Sequence, residues 1–203
     1  MHISIKSYCQ ELEKNFNEIS DERKILLQKL ADYIKSKNSA EKPIQLVYIC
    51  THNSRRSHFG QVWSAVAACY YNIEKVSTFS GGTEATAFNI SAINALKRIG
   101  FIITDDGILP NPKYTVEFGN NQTTTCFSKV YDHPANPQKE FAAIMTCSDA
   151  EENCPFIPGV ELRIGTTYND PKAFDNTPLQ DEKYSERCRQ IALECMYVFS
   201  LVN

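Results

Sequence analysis

Ile44-Gln45-Leu46-Val47-Tyr48-Ile49 is a bulky, mainly apolar run of strand length, and it passes directly into the polar loop Cys50-Thr51-His52-Asn53-Ser54-Arg55-Arg56-Ser57. A run this short, apolar at nearly every position, suits a parallel strand buried on both faces. Such a strand must be covered above and below, and its parallel neighbours must be reached by crossovers, usually helices.

The rest of the sequence supplies the alternation. Phe59, Val62, Trp63, Val66 and Ala67 fall on one helical face; Val76-Ser77-Thr78-Phe79 is a strand closed by Gly81-Gly82. Ile90, Ile93, Leu96 and Ile99 mark a helix that Gly100 can terminate. Phe141–Cys147 and Val160–Ile164 are two further strands, and a last helix runs from about Pro178 to Leu201. The pattern predicts an α/β fold, an open parallel four-stranded sheet with helices on both faces.

Two segments stand outside that pattern. Residues 1–40 read as an N-terminal helical extension, a hairpin packed on the α/β unit of residues 41–203. Tyr8, Leu12, Phe16 and Ile19 line its first helix and Leu26, Leu27, Leu30 and Ile34 its second, with Ser20 and Asp21 able to cap the latter. Residues 107–140 hold four prolines and two β-prone runs, Tyr114–Phe118 and Thr123–Tyr131, around Gly119-Asn120-Asn121. They read as an inserted β-hairpin.

Ligands of open parallel sheets sit at the carboxyl ends of the strands, where Cys50 lies. A loop joining strand to helix turns backbone N–H groups and a helix N-terminus toward one space, which binds oxyanions and favours a thiolate. Arg56, six residues after Cys50, can return across the loop and offer a planar fork to an anion. Ser57 can donate to the sulfur, and Asn53 can brace the loop. Thr51, His52, Ser54 and Arg55 complete the candidate binding loop, His52 and Arg55 reading as largely solvated side chains.

Two further groups belong on the same sheet edge. Cys147 ends a strand, and Cys154 follows seven residues later, before Pro155. An intact helix would hold their sulfurs roughly 10 Å apart, so they could bond only if that segment unwinds. The pair suits a thiol relay; a buried core cysteine or a metal pair are the alternatives, and the lack of another Cys/His cluster with ligand spacing argues against metal. Asp170, in Tyr168-Asn169-Asp170-Pro171 after the last strand, is the candidate general acid.

Composition narrows the class. The 203 residues are 42% apolar and 22% charged, with a net charge of -3 and no long basic run, which argues against a nucleic-acid binder. No stretch approaches a spanning helix and Met1–Lys6 lacks the apolar run of a signal peptide, so the expectation is a cytoplasmic chain without membrane association. Eight cysteines in that compartment read as catalytic or redox groups, or as buried hydrophobes, rather than a disulfide framework.

Together, Cys50, Asn53, Arg56 and Ser57, the segment Ser80-Gly81-Gly82-Thr83-Glu84-Ala85 and the Asp170-Pro171 pair resemble the low-molecular-weight protein tyrosine phosphatase superfamily over about residues 44–106 and 141–201. Cys147, Cys154 and Pro155, with Lys172 where the phosphatases usually carry an aromatic residue, resemble more closely its thioredoxin-coupled arsenate reductase branch. The departures are His52 for a common glycine, Arg55 for a frequent cysteine, and Gln61 where some reductases have a cation-binding glutamate. The resemblance implies arsenate reduction through a Cys50–Cys147–Cys154 relay with thioredoxin as partner and no cofactor. The alternative it implies is hydrolysis of phosphate monoesters through a phosphocysteine. A catalytically silent anion-binding protein is a third reading.

Overall fold

The computed structural model describes residues 1–153 and 156–202, apart from the side chain of Asn153. Four strands, β1 (Ile44–Cys50), β2 (Val76–Gly82), β6 (Phe141–Met145) and β7 (Val160–Gly165), form one parallel sheet in the order β2-β1-β6-β7. Register decides where the chemistry emerges. Cys50 pairs with Gly82, Ile49 with Met145, and Met145 with Gly165. The residues after β1, β2, β6 and β7 therefore leave the sheet along one edge.

The two faces of each strand feed separate cores, as the pleat requires. Leu46, Tyr48, Ala142 and Ile144 point into the larger core, with Trp63 and Phe59 of α3 (Arg56–Tyr70), Leu96 of α4 (Ile90–Ile99) and Ile191 and Phe199 of α6 (Gln180–Ser200). Val47, Ile49, Ala143 and Met145 face a smaller core closed by Ala150 of the short α5 (Ser148–Asn153) and by Ile157. Local signals end the helices where expected: Asn89 caps the start of α4, and Gly100, at φ 116°, ends it in the left-handed region.

The N-terminal helices α1 (Ile3–Lys14) and α2 (Asp21–Ser39) also pack into the larger core, and the Ser20 hydroxyl accepts the Arg23 N–H as a cap. The first helix is shorter than its apolar stripe. It ends at Lys14, and Phe16 sits in a separate 3-10 turn that lets the chain bend toward α2.

The inserted β-structure is larger than a hairpin. β3 (Ile102–Asp105), β4 (Tyr114–Gly119) and β5 (Gln122–Cys126) form an antiparallel three-stranded sheet, so the extra sheet starts before residue 107. Extended pairing stops at Cys126 rather than Tyr131, because the chain then turns back to the main sheet: the Gly82 N–H donates to the Lys129 carbonyl and the Tyr131 N–H to the Gly82 carbonyl, both at 2.9 Å. Among the described residues no helix is long and apolar enough to cross a membrane.

Candidate functional site

The loop after β1 closes on itself through side chains. Cys50 Sγ lies 3.2 Å from Ser57 Oγ in the first turn of α3, and Asn53 Nδ2 donates to the same hydroxyl at 2.8 Å. Asn53 is fully buried with φ 44°, a left-handed conformation that asparagine tolerates better than most residues. Ser54 Oγ donates to the Ala87 carbonyl at 2.7 Å. The helix α3 begins at Arg56, directly after the loop, with no side-chain cap on its first turn.

Gly82 makes this packing possible. A Cβ there would stand 2.6 Å from the Thr51 carbonyl oxygen and 2.7 Å from the Asn53 nitrogen, and would also meet the Glu84 carbonyl. The loop can lie against the end of β2 only because that position has no side chain.

Arg56 is buried, and its guanidinium meets the loop after β7. Nη1 donates to the Tyr168 carbonyl at 2.8 Å and Nη2 to Asp170 Oδ2 at 2.6 Å. Its buried Nε has no hydrogen-bond partner among the described residues. Asp170 also accepts the Lys172 N–H, which fixes its carboxyl at the start of a 3-10 turn.

Arg55 departs from the sequence reading. It is 8% exposed rather than solvated: Nε donates to the Tyr184 hydroxyl at 2.6 Å and Nη2 to Asp175 at 3.2 Å, with Asp170 Oδ1 3.9 Å from Nε. Burial opposes its charge, but the Tyr184 hydroxyl and the carboxylates of Asp170 and Asp175 outweigh it and hold the guanidinium above its ordinary range. The helix α6 that supplies Tyr184 packs along α3 and so captures the side chain. His52 stays partly exposed, 3.7 Å from Glu84.

Cys147, just beyond β6, lies beside the loop. Its Sγ is 3.4 Å from Thr51 Oγ1 and accepts the Ala150 N–H at 3.4 Å, while Thr51 donates to Asp149 at 2.7 Å. Cys154 and Pro155 lie outside the described residues. The other thiols differ in setting: burial pushes Cys9, Cys126, Cys188 and Cys195 up to about 12, which makes them core hydrophobes at neutral pH. Among the described residues no group of three or more His, Cys, Asp and Glu side chains could hold a metal ion.

The described chain has solved counterparts. A low-molecular-weight phosphotyrosine phosphatase from Vibrio cholerae superposes with a TM-score of 0.51 at 12% identity, over 77% of this chain and 95% of that one. A low-molecular-weight protein tyrosine phosphatase from T. tengcongensis gives 0.51 at 11% identity, over 77% and 98%. This is the low-molecular-weight tyrosine phosphatase fold. Sequence comparison reaches distant relatives that are arsenate reductases. Arsenate reductase 2 of Staphylococcus epidermidis is 26% identical over 126 residues, 62% of this chain and 77% of that protein, and arsenate reductase of Bacillus subtilis is 24% identical over 144 residues, 71% and 86%. No protein-family model matches the chain.

The loop also has supports that the sequence did not announce. Asn53 Oδ1 accepts the Lys129 N–H at 2.8 Å, and Ser128 Oγ donates to the His52 carbonyl at 3.1 Å while accepting the Thr86 N–H. The inserted segment is thus bonded to the candidate loop itself. Gln61, the departure noted in α3, ties that helix to the insertion through Thr124 Oγ1 and the Thr125 carbonyl. Beneath the loop, His58 is fully buried against Ser80 Oγ, and burial, then the Lys129 charge, push its pKa well below the usual value. Nothing local in the sequence marks Ser128, Lys129 or Tyr184 as part of the site, whereas Tyr168 stands within a motif already singled out.

Proposed function

We propose that this chain is an arsenate reductase that works through cysteine thiols. The observation that carries the reading is that the loop beginning at Cys50 touches the second candidate cysteine, Thr51 Oγ1 lying 3.4 Å from Cys147 Sγ. The kinship with arsenate reductases supports it. In this reading Cys50 thiolate attacks arsenate held by the loop amides and Arg56, and Asp170 gives a proton to the departing oxygen. Thr51, His52, Asn53, Ser54 and Ser57 shape the loop, and Arg55 anchors it to Asp175.

Cys147 thiolate then attacks the Cys50 sulfur. The S–As bonding pair leaves with arsenic, which becomes arsenite, and a Cys50–Cys147 disulfide remains. Cys154 attacks Cys147, freeing Cys50, and a dithiol of the thioredoxin class reduces the Cys147–Cys154 bond. Thioredoxin-dependent arsenate turnover that disappears in Cys50→Ser is the expected result; turnover retained by that variant refutes the reading.

A second reading rests on Arg56 and Asp170. They contact each other at 2.6 Å, and with Cys50 they are the groups that phosphomonoester hydrolysis would use, water releasing the phosphocysteine. Turnover of phosphotyrosine without any reductant, and none of arsenate with thioredoxin, would favour it.

A further inference from the structure

Arg23 lies on α2, in the N-terminal helices, yet its side chain ends in the segment that carries Asp170. Its Nε is 3.0 Å from each carboxylate oxygen of Glu194, and Nη2 donates to Glu194 Oε2 and to the Thr166 carbonyl, both at 2.8 Å. The guanidinium also stands 4.9 Å from the centre of the Tyr168 ring, and the Tyr168 hydroxyl donates to Glu194 Oε2 at 2.7 Å. Glu194 and Tyr168 are both buried. Burial opposes the Arg23 charge, but Tyr168 and Glu194 outweigh it, so the cation persists to neutralise the carboxylate.

The same tyrosine holds the candidate anion fork. Its N–H donates to the Thr146 carbonyl at 3.1 Å, and its own carbonyl accepts Arg56 Nη1 at 2.8 Å. The Thr166 N–H is likewise fastened to Met145. With the ring held by Glu194 and Arg23 and the N–H held by the end of β6, the Tyr168 carbonyl has little freedom left. Two residues on, Asp170 takes the other end of the Arg56 guanidinium.

We propose that Arg23 is a positioning residue for the oxyanion site: through Glu194 and Tyr168 it fixes the Thr166–Asp170 segment and thereby aims Arg56 and Asp170. The inference rests on the reading of Cys50, Arg56 and Asp170 as the reacting groups. It gives the N-terminal helices a part in the chemistry that a packing role alone would not. A lysine at position 23 could neutralise Glu194 but could not also span to the Thr166 carbonyl with a planar fork.

The test measures binding of inorganic phosphate and of arsenate by calorimetry in the Cys50→Ser background, which stops turnover, together with thermal unfolding. Arg56→Ala is the reference for loss of the fork. Tyr168→Phe, which leaves the Arg23–Glu194 pair in place, should weaken both anions at least fivefold while lowering the melting temperature less than Arg23→Met does. Arg23→Met should weaken binding and lower the melting temperature; Arg23→Lys should recover the melting temperature and not the affinity. Affinity that follows melting temperature across the three variants, or a Tyr168→Phe protein that binds normally, reduces Arg23 to a structural clamp and overturns the proposal. If the parent binds neither anion, or Arg56→Ala changes nothing, the reading of the site itself fails and the proposal falls with it.

Discussion

The side-chain carbonyl of Asn53 accepts a hydrogen bond from the backbone N–H of Lys129 at 2.8 Å, joining the candidate oxyanion loop to the inserted segment. Asn53 also donates to Ser57, the hydroxyl nearest Cys50. Asn53→Ala removes both bonds at a residue whose φ is positive. It should cost roughly 2–4 kcal/mol of stability, the sum of lost bonds and a strained backbone, and weaken phosphate binding. Urea unfolding and calorimetry check both; a variant that binds phosphate as tightly as the parent shows that the loop holds its shape without this brace.

Arg56→Lys should be nearly as damaging as Arg56→Ala. One ammonium cannot satisfy the Tyr168 carbonyl and Asp170 and still offer an edge to an anion. Kinetics of both variants decide it. Near-normal turnover by the lysine variant removes Arg56 as the anion fork, and Arg55, already tied to Tyr184 and Asp175, is then the arginine left beside Asp170.

The two enzymatic readings part at Cys147. Ester hydrolysis uses Cys50, the loop and Asp170, whereas arsenate reduction must also deposit two electrons' worth of oxidation on protein sulfur. Cys147→Ser should keep any phosphatase activity within about tenfold, roughly 1.4 kcal/mol, and lose thioredoxin-coupled arsenate turnover with no disulfide formed to Cys50. Cys154→Ser should stall one step later, as a Cys50–Cys147 disulfide visible by peptide mapping after one exposure to arsenate. Continued cycling by both variants eliminates the relay.

Lys129 is 4% exposed, its ammonium 3.5 Å from the Phe127 carbonyl and 4.4 Å from the centre of the Phe127 ring. Burial pushes it down from 10.5 to about 8. Below pH 8 it is charged in both folded and unfolded chains, and the cost of burying the charge is fully present. Between about 8 and 10.5 the unfolded chain holds a proton that the folded one has lost, so stability from this group rises with pH. Lys129→Met should therefore be more stable than the parent at pH 7 by up to roughly 3 kcal/mol, with the advantage shrinking toward pH 10. Denaturant unfolding at the two pH values tests this; an advantage that grows with pH contradicts the assigned direction.

The sequence alone determined the alternation of strands and helices, the emergence of Cys50 from a buried strand into a polar loop, and the placing of Cys147 and Asp170 after later strands. Those features are local: apolar period, strand length and glycine positions are set by neighbours along the chain. The contacts that complete the site are not. Arg55 reads as a surface charge until α6 brings Tyr184 alongside, 129 residues away in sequence. Lys129 reads as one residue of a β-prone run until its backbone is seen bonded to Asn53 and Gly82. Arg23 falls within the second N-terminal helix, and no residue near it in sequence points to its partner Glu194, 171 residues on. A hydrogen bond between distant residues leaves no periodic trace, because any chain reversal can supply a donor or acceptor. Only the packing of α2 and α6 and the return of the insertion to β2 decided which polar groups would be buried together, and burial is what makes each of those partners obligatory.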